Sequence, residues 1–453
     1  MILTSETTAK PEKYKFPKTF WTSNFVELLE RAAFYAMFIS ISIYLSRVVG
    51  FSDVEAGWIG GIFSAGLYFL PTFTGAWADS MGFRRSIILA FALLAIGYFS
   101  LGILTYKAIV IPALFVVMIG GSFIKSIITG TVAKSSNKAN RARAYSIFYM
   151  MVNIGSFSGK TLAYPIRIEL GLEAINILSA AICFVALIVV FFWYRSVDTA
   201  GEGKTMAEIW HSFWKVITNL RLITLIIIIT GFWIIQHQMY ASMPKYILRT
   251  VGEYAAPEWI ANVNPLIVVS FVYLITKLMK KVQAITSMSI GMMLMPFSAL
   301  LMASSPALES ITGQSVDIFG MFTAHPVVVM MILGIVFQGL AECFISPRFL
   351  EYFSLMSPKG EEGLYLGFSH LHSFLSSLAG FVISGYLLDA YCPDPTLPQY
   401  ANLPPDELAK VYEHSNYMWY YFSAIGLVAA ISLFIYGKVV KIIDKKKGVN
   451  ANS

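Results

Sequence analysis

Long apolar segments alternate with short polar breaks along the whole chain. A helix needs about 20 apolar residues to cross a hydrocarbon core of about 30 Å, and twelve segments reach about that length. We predict one membrane-spanning helix in each of residues 20–46, 55–78, 84–104, 108–133, 143–166, 173–194, 221–247, 262–281, 284–303, 326–354, 362–390 and 416–440. An even number of spans places both chain ends on the same side of the membrane.

The composition supports an all-α integral membrane protein. Hydrophobic residues make up 57% of the 453 residues and charged residues 13%, which is about half the charged share of a soluble domain. The net charge of +7 does not indicate nucleic acid, because most basic residues lie between apolar spans, where they orient a membrane protein. Most of the 33 Lys and Arg residues fall on the side of the chain ends, which predicts that both termini are cytoplasmic.

Several other classes of site are not indicated. The three cysteines, Cys183, Cys343 and Cys392, are too scattered for a disulfide framework or a zinc site, and we expect no metal and no cofactor. The polar, lysine-bearing start of the chain, MILTSETTAKPEKYKFPKTF, lacks the apolar core of a cleaved signal peptide. The sequence also lacks GxSxG, HExxH and Walker motifs, so nothing in it indicates a membrane enzyme.

The longest polar break, residues 196–220, divides the chain into two halves of six helices. The predicted units are a tail (1–19), an N-terminal six-helix bundle (20–195), a linker (196–220), a C-terminal six-helix bundle (221–440) and a second tail (441–453). Apolar residues lie on one side of a helix in the linker, so we expect an amphipathic segment on the cytoplasmic surface. They are Trp210, Phe213, Trp214 and Ile217.

Two six-helix halves are the layout of the major facilitator fold, whose substrate site lies at the midplane between the halves. The loop after the second predicted helix, GAWADSMGFRR at 75–85, resembles the loop signature of that superfamily. The matching loop in the second half, KLMKKVQA, keeps only the basic character. The sequence therefore predicts a major facilitator fold with a divergent second half.

Six charged residues remain within or near the predicted spans when loop residues are set aside. Each ionised group costs about 2.5–3.5 kcal/mol or more near a bilayer centre, so these residues are functional candidates. A carboxyl group in apolar surroundings can take up a proton near neutral pH, which makes the acids candidate proton carriers. The six are the cations Arg31, Lys125 and Lys160 and the anions Glu27, Glu30 and Glu342.

The segment NFVELLERAAFYAM, residues 24–37, holds half of these charges. Glu27, Glu30 and Arg31 stand at positions i, i+3 and i+4 of a helix, so their side chains are neighbours on its surface. Two carboxylates that compete for one guanidinium leave one acid paired and the other free to take a proton. A static buried cluster that only orients the first helix is the alternative, and the sequence leaves it open.

ELLERAAFYAM resembles the ExxER signature on the first helix of the proton-coupled oligopeptide transporter family, a branch of the major facilitators. Further segments resemble motifs of that family in the same order, from residue 27 to about residue 380. They are LYFLPTFTGAWADSMG on the second helix, GGSFIK on the fourth, IFYMMVNIGSF on the fifth, GFWIIQHQ on the seventh, NVNPLIVV on the eighth and GLAECFISP on the tenth. The resemblance identifies the chain as a divergent twelve-helix member.

The resemblance implies roles for individual residues. Glu27 and Glu30 would be linked to protons, and Arg31 would be their ion-pair partner that also faces the substrate. Lys125 would attract a carboxylate and Glu342 would meet an ammonium group, which suits a zwitterion held between the two halves. The other substrate-binding positions that the motifs imply are Tyr35, Tyr68, Asn153, Trp233, Gln238 and Asn264.

The chain departs from the family pattern at three positions. Phe38 replaces a second arginine, His237 replaces a glutamate on the seventh helix, and Ser369 replaces a tryptophan on the eleventh. An unperturbed histidine titrates near neutral pH, so His237 is either a second proton carrier or a hydrogen-bonded cavity residue. Lys160, seven residues after Asn153, either restores the missing cation and binds substrate or extends to the outer interface.

The leading hypothesis is a proton-coupled symporter that imports small peptides or peptide-like zwitterions by alternating access. We expect a monomer that spans the inner (plasma) membrane several times, whose partners are protons, the substrate and the bilayer. The alternative is a divergent major facilitator that carries another small organic solute or drug. One form of this alternative is an exporter. A membrane enzyme or receptor is a third hypothesis.

Overall fold

The computed structural model describes residues 15–137, 140–195, 206–357 and 368–446. These residues are almost entirely helical. The first part of the predicted span 362–390 and most of both predicted tails lie outside the described residues.

The N-terminal half begins with α1 (Lys18–Ile43), which continues as a π-helical segment, Tyr44–Val48. Ser52 caps the next helix through a capping box, because its hydroxyl accepts from the Glu55 N–H while the Glu55 carboxylate accepts from the Ser52 N–H. The remaining helices of this half are α2 (Asp53–Phe69), α3 (Pro71–Met81), α4 (Phe83–Ile103), α5 (Lys107–Lys134), α6 (Arg141–Leu170) and α7 (Leu172–Trp193).

The C-terminal half follows a linker helix, α8 (Met206–Thr218). Its longer helices are α9 (Leu220–Ala241), α12 (Val263–Leu278), α13 (Ala284–Ala303), α15 (Pro326–Met356), α16 (Leu371–Tyr391) and α18 (Tyr417–Lys446). Its shorter elements are α10 (Met243–Thr250), α11 (Pro257–Ile260), the 3-10 turn Met279–Lys281, α14 (Ser305–Thr312), α17 (Pro405–Val411) and the strands β1 (Val316–Ile318) and β2 (Phe322–Ala324).

Two predicted spans are broken helices. The span predicted at 55–78 divides into α2 and α3, which meet at 49° where Pro71 begins α3. The span predicted at 221–247 divides into α9 and α10 around Ser242, two residues before Pro244. Proline has no N–H to continue a helix but fits a first helical turn, so both breaks fall where the sequence has a proline.

The short hairpin of β1 and β2 was not expected from a pattern of apolar spans. Phe319 and Gly320 adopt positive φ angles of 53° and 71°, and the Asp317 carboxylate accepts from the Gly320 N–H at 3.0 Å. These two residues form a tight turn in which the Met321 N–H donates to the Ile318 carbonyl oxygen at 3.0 Å, and three residues connect Ile318 to its strand partner Phe322. The hairpin is a small exception in an all-α fold.

Among the described residues, ten helices are long and apolar enough to cross a membrane, and the bent pair α2–α3 makes an eleventh. α6 has 30 residues, but it carries charged residues near both ends and Lys160 in between. α6 nevertheless packs against α1 within the bundle. The all-α membrane architecture is therefore confirmed, while the count of twelve spans and the cytoplasmic position of both termini stay predictions.

Each half has a large buried cluster of its own. Phe91 and Phe123 are fully buried in the N-terminal cluster, and Phe353 and Trp419 are fully buried in the C-terminal cluster. Apolar side chains on the outside of the bundle are exposed, which suits contact with lipid acyl chains rather than with water. The boundaries that we predict for the two bundles stay predictions.

α6 approaches α1 most closely at two glycines. A Cβ atom at Gly155 would lie 2.5 Å from the Leu28 carbonyl oxygen, and one at Gly159 would lie 2.2 Å from the Ala32 carbonyl oxygen. Small residues allow helix backbones to come this close in a membrane. Since Arg31 lies between Leu28 and Ala32, the two glycines bring α6 against the charged part of α1.

We expect Gly159→Ala to destabilise the protein by about 1–3 kcal/mol, because the new methyl group overlaps backbone atoms of α1 that have little room to move. The apparent melting temperature of purified protein in detergent measures the change. Gly121→Ala is the matched control, since its Cβ would meet only the mobile end of Leu67 at 3.1 Å. Equal melting temperatures for the two variants would contradict the close approach of α6 to α1.

Candidate functional site

Glu27, Glu30 and Arg31 form a buried cluster on α1, which we call the α1 charge cluster. The Arg31 Nε lies 3.3 Å from Glu27 Oε1, and its Nε and Nη2 each lie 2.5 Å from Glu30 Oε2. All three side chains are buried. The second oxygen of Glu27, Oε2, has no hydrogen-bond partner among the described residues. Glu30 therefore holds the guanidinium more tightly, and Glu27 is the acid with room for a proton.

Lys125 of α5 lies beside this cluster. Its ammonium is 4.1 Å from the centre of the Tyr68 ring and 3.5 Å from the Leu67 carbonyl oxygen. It also interacts electrostatically with Glu27 and Glu30. Two acids and two cations are thus grouped in the N-terminal half, and their charges are balanced when all four are ionised.

Glu342 of α15 is the acid of the C-terminal half. Its Oε2 accepts a hydrogen bond from Gln236 Nε2 at 3.0 Å and from Asn264 Nδ2 at 3.5 Å. Both donors are neutral amides, and no Lys or Arg of the described chain lies within ion-pair distance of Glu342. The carboxylate is therefore oriented by hydrogen bonds while its charge is left without a counter-ion.

Aromatic side chains of the two halves meet between these charged groups. The rings of Tyr68 and His237 have centres 6.1 Å apart, and those of Tyr35 and Tyr240 are 6.2 Å apart. Trp233 lies 6.4 Å from His237 on the same helix, α9. The His237 Nε2 has no hydrogen-bond partner within the described chain. The role of His237 as a second proton carrier stays a prediction.

Asn153 and Lys160 stand on α6. Asn153 donates to the Tyr149 carbonyl oxygen of its own helix at 2.7 Å. Lys160 is 1% exposed, its ammonium donates to the Ala261 carbonyl oxygen of the other half at 3.3 Å, and it lies 5.7 Å from the centre of the Tyr35 ring. The alternative that Lys160 extends to the outer interface is therefore wrong, because the side chain is enclosed between the halves.

Gln238 is surrounded by partners that hold helices together. Its amide nitrogen donates to the carbonyl oxygens of Ile234 at 2.8 Å and Gly380 at 3.1 Å, and its oxygen accepts from the Ser242 hydroxyl at 2.7 Å. These contacts join α9 to α16. Substrate binding by Gln238 stays a prediction, whereas Gln236, two residues earlier, is the amide that reaches Glu342.

Sequence analysis missed Gln236 and Tyr240, although both lie on the helix that carries Trp233 and His237. Gln236 could have been identified as a candidate from the sequence, because a polar amide inside an apolar span needs a hydrogen-bond partner in lipid. Tyr240 contacts the Phe38 ring with centres 4.9 Å apart. It gave no signal in the sequence, since tyrosine is common in membrane helices.

Ion pairs join the two halves at the end of the bundle opposite the described chain ends, which we call the distal seam. Asp53 of α2 lies 2.6 Å from the Lys245 ammonium and 2.7 Å from Arg249 Nη1. Arg47 bonds both oxygens of Glu253, at 2.6 and 2.7 Å. Asp53, Lys245 and Arg249 are buried, so these charges stabilise the closed seam only while their partners stay in place.

A second part of the distal seam runs along one face of α6. Arg167 donates to the Glu258 carboxylate at 2.6 Å, and Tyr164 donates to the Tyr254 carbonyl oxygen at 3.1 Å. Nearer the site, Thr161 Oγ1 accepts from Asn262 at 3.0 Å. The spacing of these α6 residues, together with Lys160, is that of a single helix face. This face binds the segment between α10 and α12.

The opposite end of the bundle has a different kind of contact. Phe213 of the linker helix lies with its ring centre 6.3 Å from Phe69 and 5.6 Å from Phe368, and Phe69 lies 5.4 Å from Phe374. In the part of the chain that the structure describes, every ion pair between the halves belongs to the distal seam. The structure is therefore a conformer closed by charges at its distal end.

Asp394, in the loop after α16, supports the distal seam from within the C-terminal half. Its carboxylate lies 3.1 Å from Arg249 Nη2 and accepts from the Thr396 N–H and hydroxyl. Burial alone would raise the pKa of Asp394, but Arg249 and Thr396 hold it below its ordinary value of 3.8. A lowered pKa gives stability that is present above pH 3.8 and is lost only as the pH falls through the lower value. Protonation of Asp394 therefore does not control the seam near neutral pH.

Comparison with known proteins places this geometry among transporters. The profile of the Major Facilitator Superfamily matches residues 24–324. A dipeptide and tripeptide permease B of Salmonella typhimurium is 25% identical, with 84% of this chain and 88% of the permease aligned. A multidrug resistance protein MdtH of Photorhabdus laumondii is 23% identical, with 81% and 85% aligned.

A solved structure shares the fold. The crystal structure of a POT family transporter in complex with a thioalcohol-conjugated peptide superimposes with a TM-score of 0.72 at 18% identity, over 94% of this chain and 97% of that one. The resemblance predicted from the motifs is confirmed, as is the major facilitator fold. The roles of the individual site residues are not tested by these comparisons.

We expect Asp53→Asn to open the distal seam, because Lys245 and Arg249 then lose a buried counter-charge. Removing one partner of a buried pair costs about 3–5 kcal/mol, and separation of the halves relieves that cost. Spin labels at Tyr106→Cys and Ile311→Cys, two exposed distal positions in opposite halves, report the opening as longer distances. The native cysteines are buried.

Glu55→Gln is the matched control for Asp53→Asn. Glu55 pairs with Lys107 of the same half at 3.4 Å, and both side chains are about half exposed, so its loss leaves the halves joined. An unchanged distance distribution in Asp53→Asn would show that these ion pairs do not hold the seam closed.

Proposed function

This chain belongs to the major facilitator superfamily, and we propose that it is a proton-coupled symporter that imports small peptides or peptide-like zwitterions by alternating access. One observation carries the proposal. Buried charges of opposite sign stand in opposite halves, with an acid cluster on α1 and a carboxylate without a counter-ion on α15. The names of the permeases that the chain resembles, which refer to dipeptides and tripeptides, support the substrate class.

In this proposal the Glu342 carboxylate binds the ammonium end of the substrate. Gln236 and Asn264 fix the position of its carboxylate, and a bound ammonium supplies the missing opposite charge. Tyr35, Tyr68, Asn153 and Trp233 complete the site with neutral and aromatic surfaces. A ligand that binds Glu342 and a cation of the N-terminal half contacts both halves and favours the conformers that bring them together.

The α1 charge cluster is the proton-linked part of the proposal. Arg31 cannot satisfy both acids equally, and Glu27 Oε2 lacks a partner. A proton on Glu27 removes one negative charge and leaves the Arg31–Glu30 pair intact. The N-terminal half of the site then carries an excess of positive charge, which favours the negatively charged end of a substrate at a cation of that half. His237 remains a candidate for a second proton.

The distal seam supplies the gate in this proposal. Under the predicted orientation it faces the outside of the cell, so the described conformer is closed to the outside. We place the protein in the inner (plasma) membrane as a multi-pass monomer with twelve spans and both termini in the cytoplasm. No nucleic acid partner and no cofactor enter the mechanism.

A second candidate is a major facilitator that exports another organic solute or drug. The similarity to a multidrug resistance protein over 81% of this chain favours it, and so does Ser369 in place of the family's tryptophan. The membrane enzyme hypothesis is set aside, because the superfamily consists of transporters rather than enzymes.

We expect purified protein in liposomes to accumulate dialanine above its external concentration when an inward proton gradient is imposed. Glu27→Gln should abolish accumulation but retain exchange of labelled for unlabelled dialanine, because the variant loses the proton-carrying carboxyl and keeps both the Arg31–Glu30 pair and the ligand site. Uptake of radiolabelled dialanine measures both properties.

Glu55→Gln is the control for Glu27→Gln, since Glu55 is an exposed acid outside the site. Accumulation by Glu27→Gln would show that Glu27 does not carry the coupled proton. If the unaltered protein takes up no dialanine at any acid pH, the peptide substrate class is wrong and the export candidate takes its place.

A further inference from the structure

Among the residues that the structure describes, neither Lys160 nor Glu342 has a group of opposite charge within ion-pair distance, and the two stand in opposite halves. Glu342 is held only by the neutral amides of Gln236 and Asn264. Lys160 has one hydrogen-bond acceptor in the described chain, the Ala261 carbonyl oxygen at 3.3 Å. By contrast, Lys125 lies within electrostatic range of Glu27, Glu30 and Arg31, although no carboxylate of the described chain is within ion-pair distance of it. The acids of the α1 charge cluster therefore partly offset the charge of Lys125, whereas Lys160 has no such acid in its described surroundings.

A buried ammonium without a counter-ion is costly in a membrane protein, so a residue of this kind indicates a bound partner at some stage of the working cycle. An ammonium has three N–H donors, and Ala261 takes one of them. The Tyr35 ring lies 5.7 Å from the same ammonium, within range of a cation–π contact. Two donors of Lys160 remain available to a ligand.

Tyr35 is also a neighbour of Glu342, since the two interact electrostatically. Tyr35 is therefore close to Lys160 and within electrostatic range of Glu342. Lys160 and Glu342 themselves do not form an ion pair in the described structure. A short zwitterion has the charge pattern that fits two such groups.

We propose that Lys160 receives the carboxylate of the substrate while Glu342 receives its ammonium, and that Lys125 serves the α1 charge cluster. This inference rests on the proposed function and deepens it. An ammonium is attracted more strongly to a carboxylate, which carries the opposite charge, than to a neutral carbonyl oxygen such as that of Ala261. A substrate carboxylate therefore displaces Ala261.

The position of Lys160 connects this exchange to the gate. Ala261 belongs to the C-terminal half, next to Asn262, which bonds Thr161 in the distal seam. When the halves part at the distal end, Ala261 leaves with its half and Lys160 stays on α6. The ammonium is then exposed on the side from which the substrate enters.

Binding of dialanine and of dialanine amide, which lacks the carboxylate, tests the inference by isothermal titration calorimetry on the full-length protein in detergent. The unaltered protein should bind dialanine about 10- to 100-fold more tightly than the amide, the effect of one lost charged hydrogen bond. Lys160→Met should remove this preference and leave the affinity for the amide unchanged. Lys125→Met should keep the preference.

N-acetyl-dialanine, which lacks the ammonium, provides the matched test for the contact between Glu342 and the ammonium end of the ligand. Glu342→Gln should abolish the preference for dialanine over N-acetyl-dialanine and keep the preference for dialanine over its amide. Lys160→Gln serves in place of Lys160→Met if the latter does not fold, and the melting temperature of each variant decides that point.

A preference for the free carboxylate that survives in Lys160→Met or Lys160→Gln overturns the inference, and so does its loss in Lys125→Met alone. If Lys160→Met loses affinity for dialanine and for dialanine amide equally, Lys160 only holds the seam together, and the inference is also overturned. None of these results affects the proposed function. The proposed function fails separately if the unaltered protein neither binds dialanine nor accumulates it under a proton gradient.

Discussion

The sharing of one guanidinium by two carboxylates inside a membrane is the interaction on which this account depends. Arg31 is bound at 2.5 Å by Glu30 and at 3.3 Å by Glu27, and lipid and protein exclude the water that would screen the three charges. The three residues pair within α1, and α6 packs against this part of α1 through Gly155 and Gly159. The contact between α1 and α6 and the proposed site of proton uptake therefore lie in the same part of α1.

The distal seam is also held by buried charges, and its ion pairs must break when the two halves move apart. Asp53, Lys245 and Arg249 lose buried counter-charges when they separate, so we expect the seam to be either closed or open rather than partly open. A substrate changes the balance only through contacts that differ between these states. Lys160 is such a contact, because its acceptor, Ala261, belongs to the half that moves.

The sequence was sufficient for features that depend on local spacing. The positions of Glu27, Glu30 and Arg31 at i, i+3 and i+4 predicted a cluster, and the structure has one. Apolar segment length predicted the helices, apart from the breaks at Pro71 and near Pro244 and the hairpin at Phe319. The distal seam was not predicted, because Arg47 and Glu253 are 206 residues apart. As single residues they look like loop charges, and only the folded chain pairs them.

Proton uptake on ligand binding tests the central claim most directly. Dialanine is added to purified protein in weakly buffered solution with a pH indicator, between pH 5 and pH 8. The account predicts that the unaltered protein takes up protons as it binds, and that a variant with both Glu27→Gln and Glu30→Gln binds the ligand without taking up protons. Ligand binding without any proton uptake by the unaltered protein, or equal uptake by the double variant, would contradict the account.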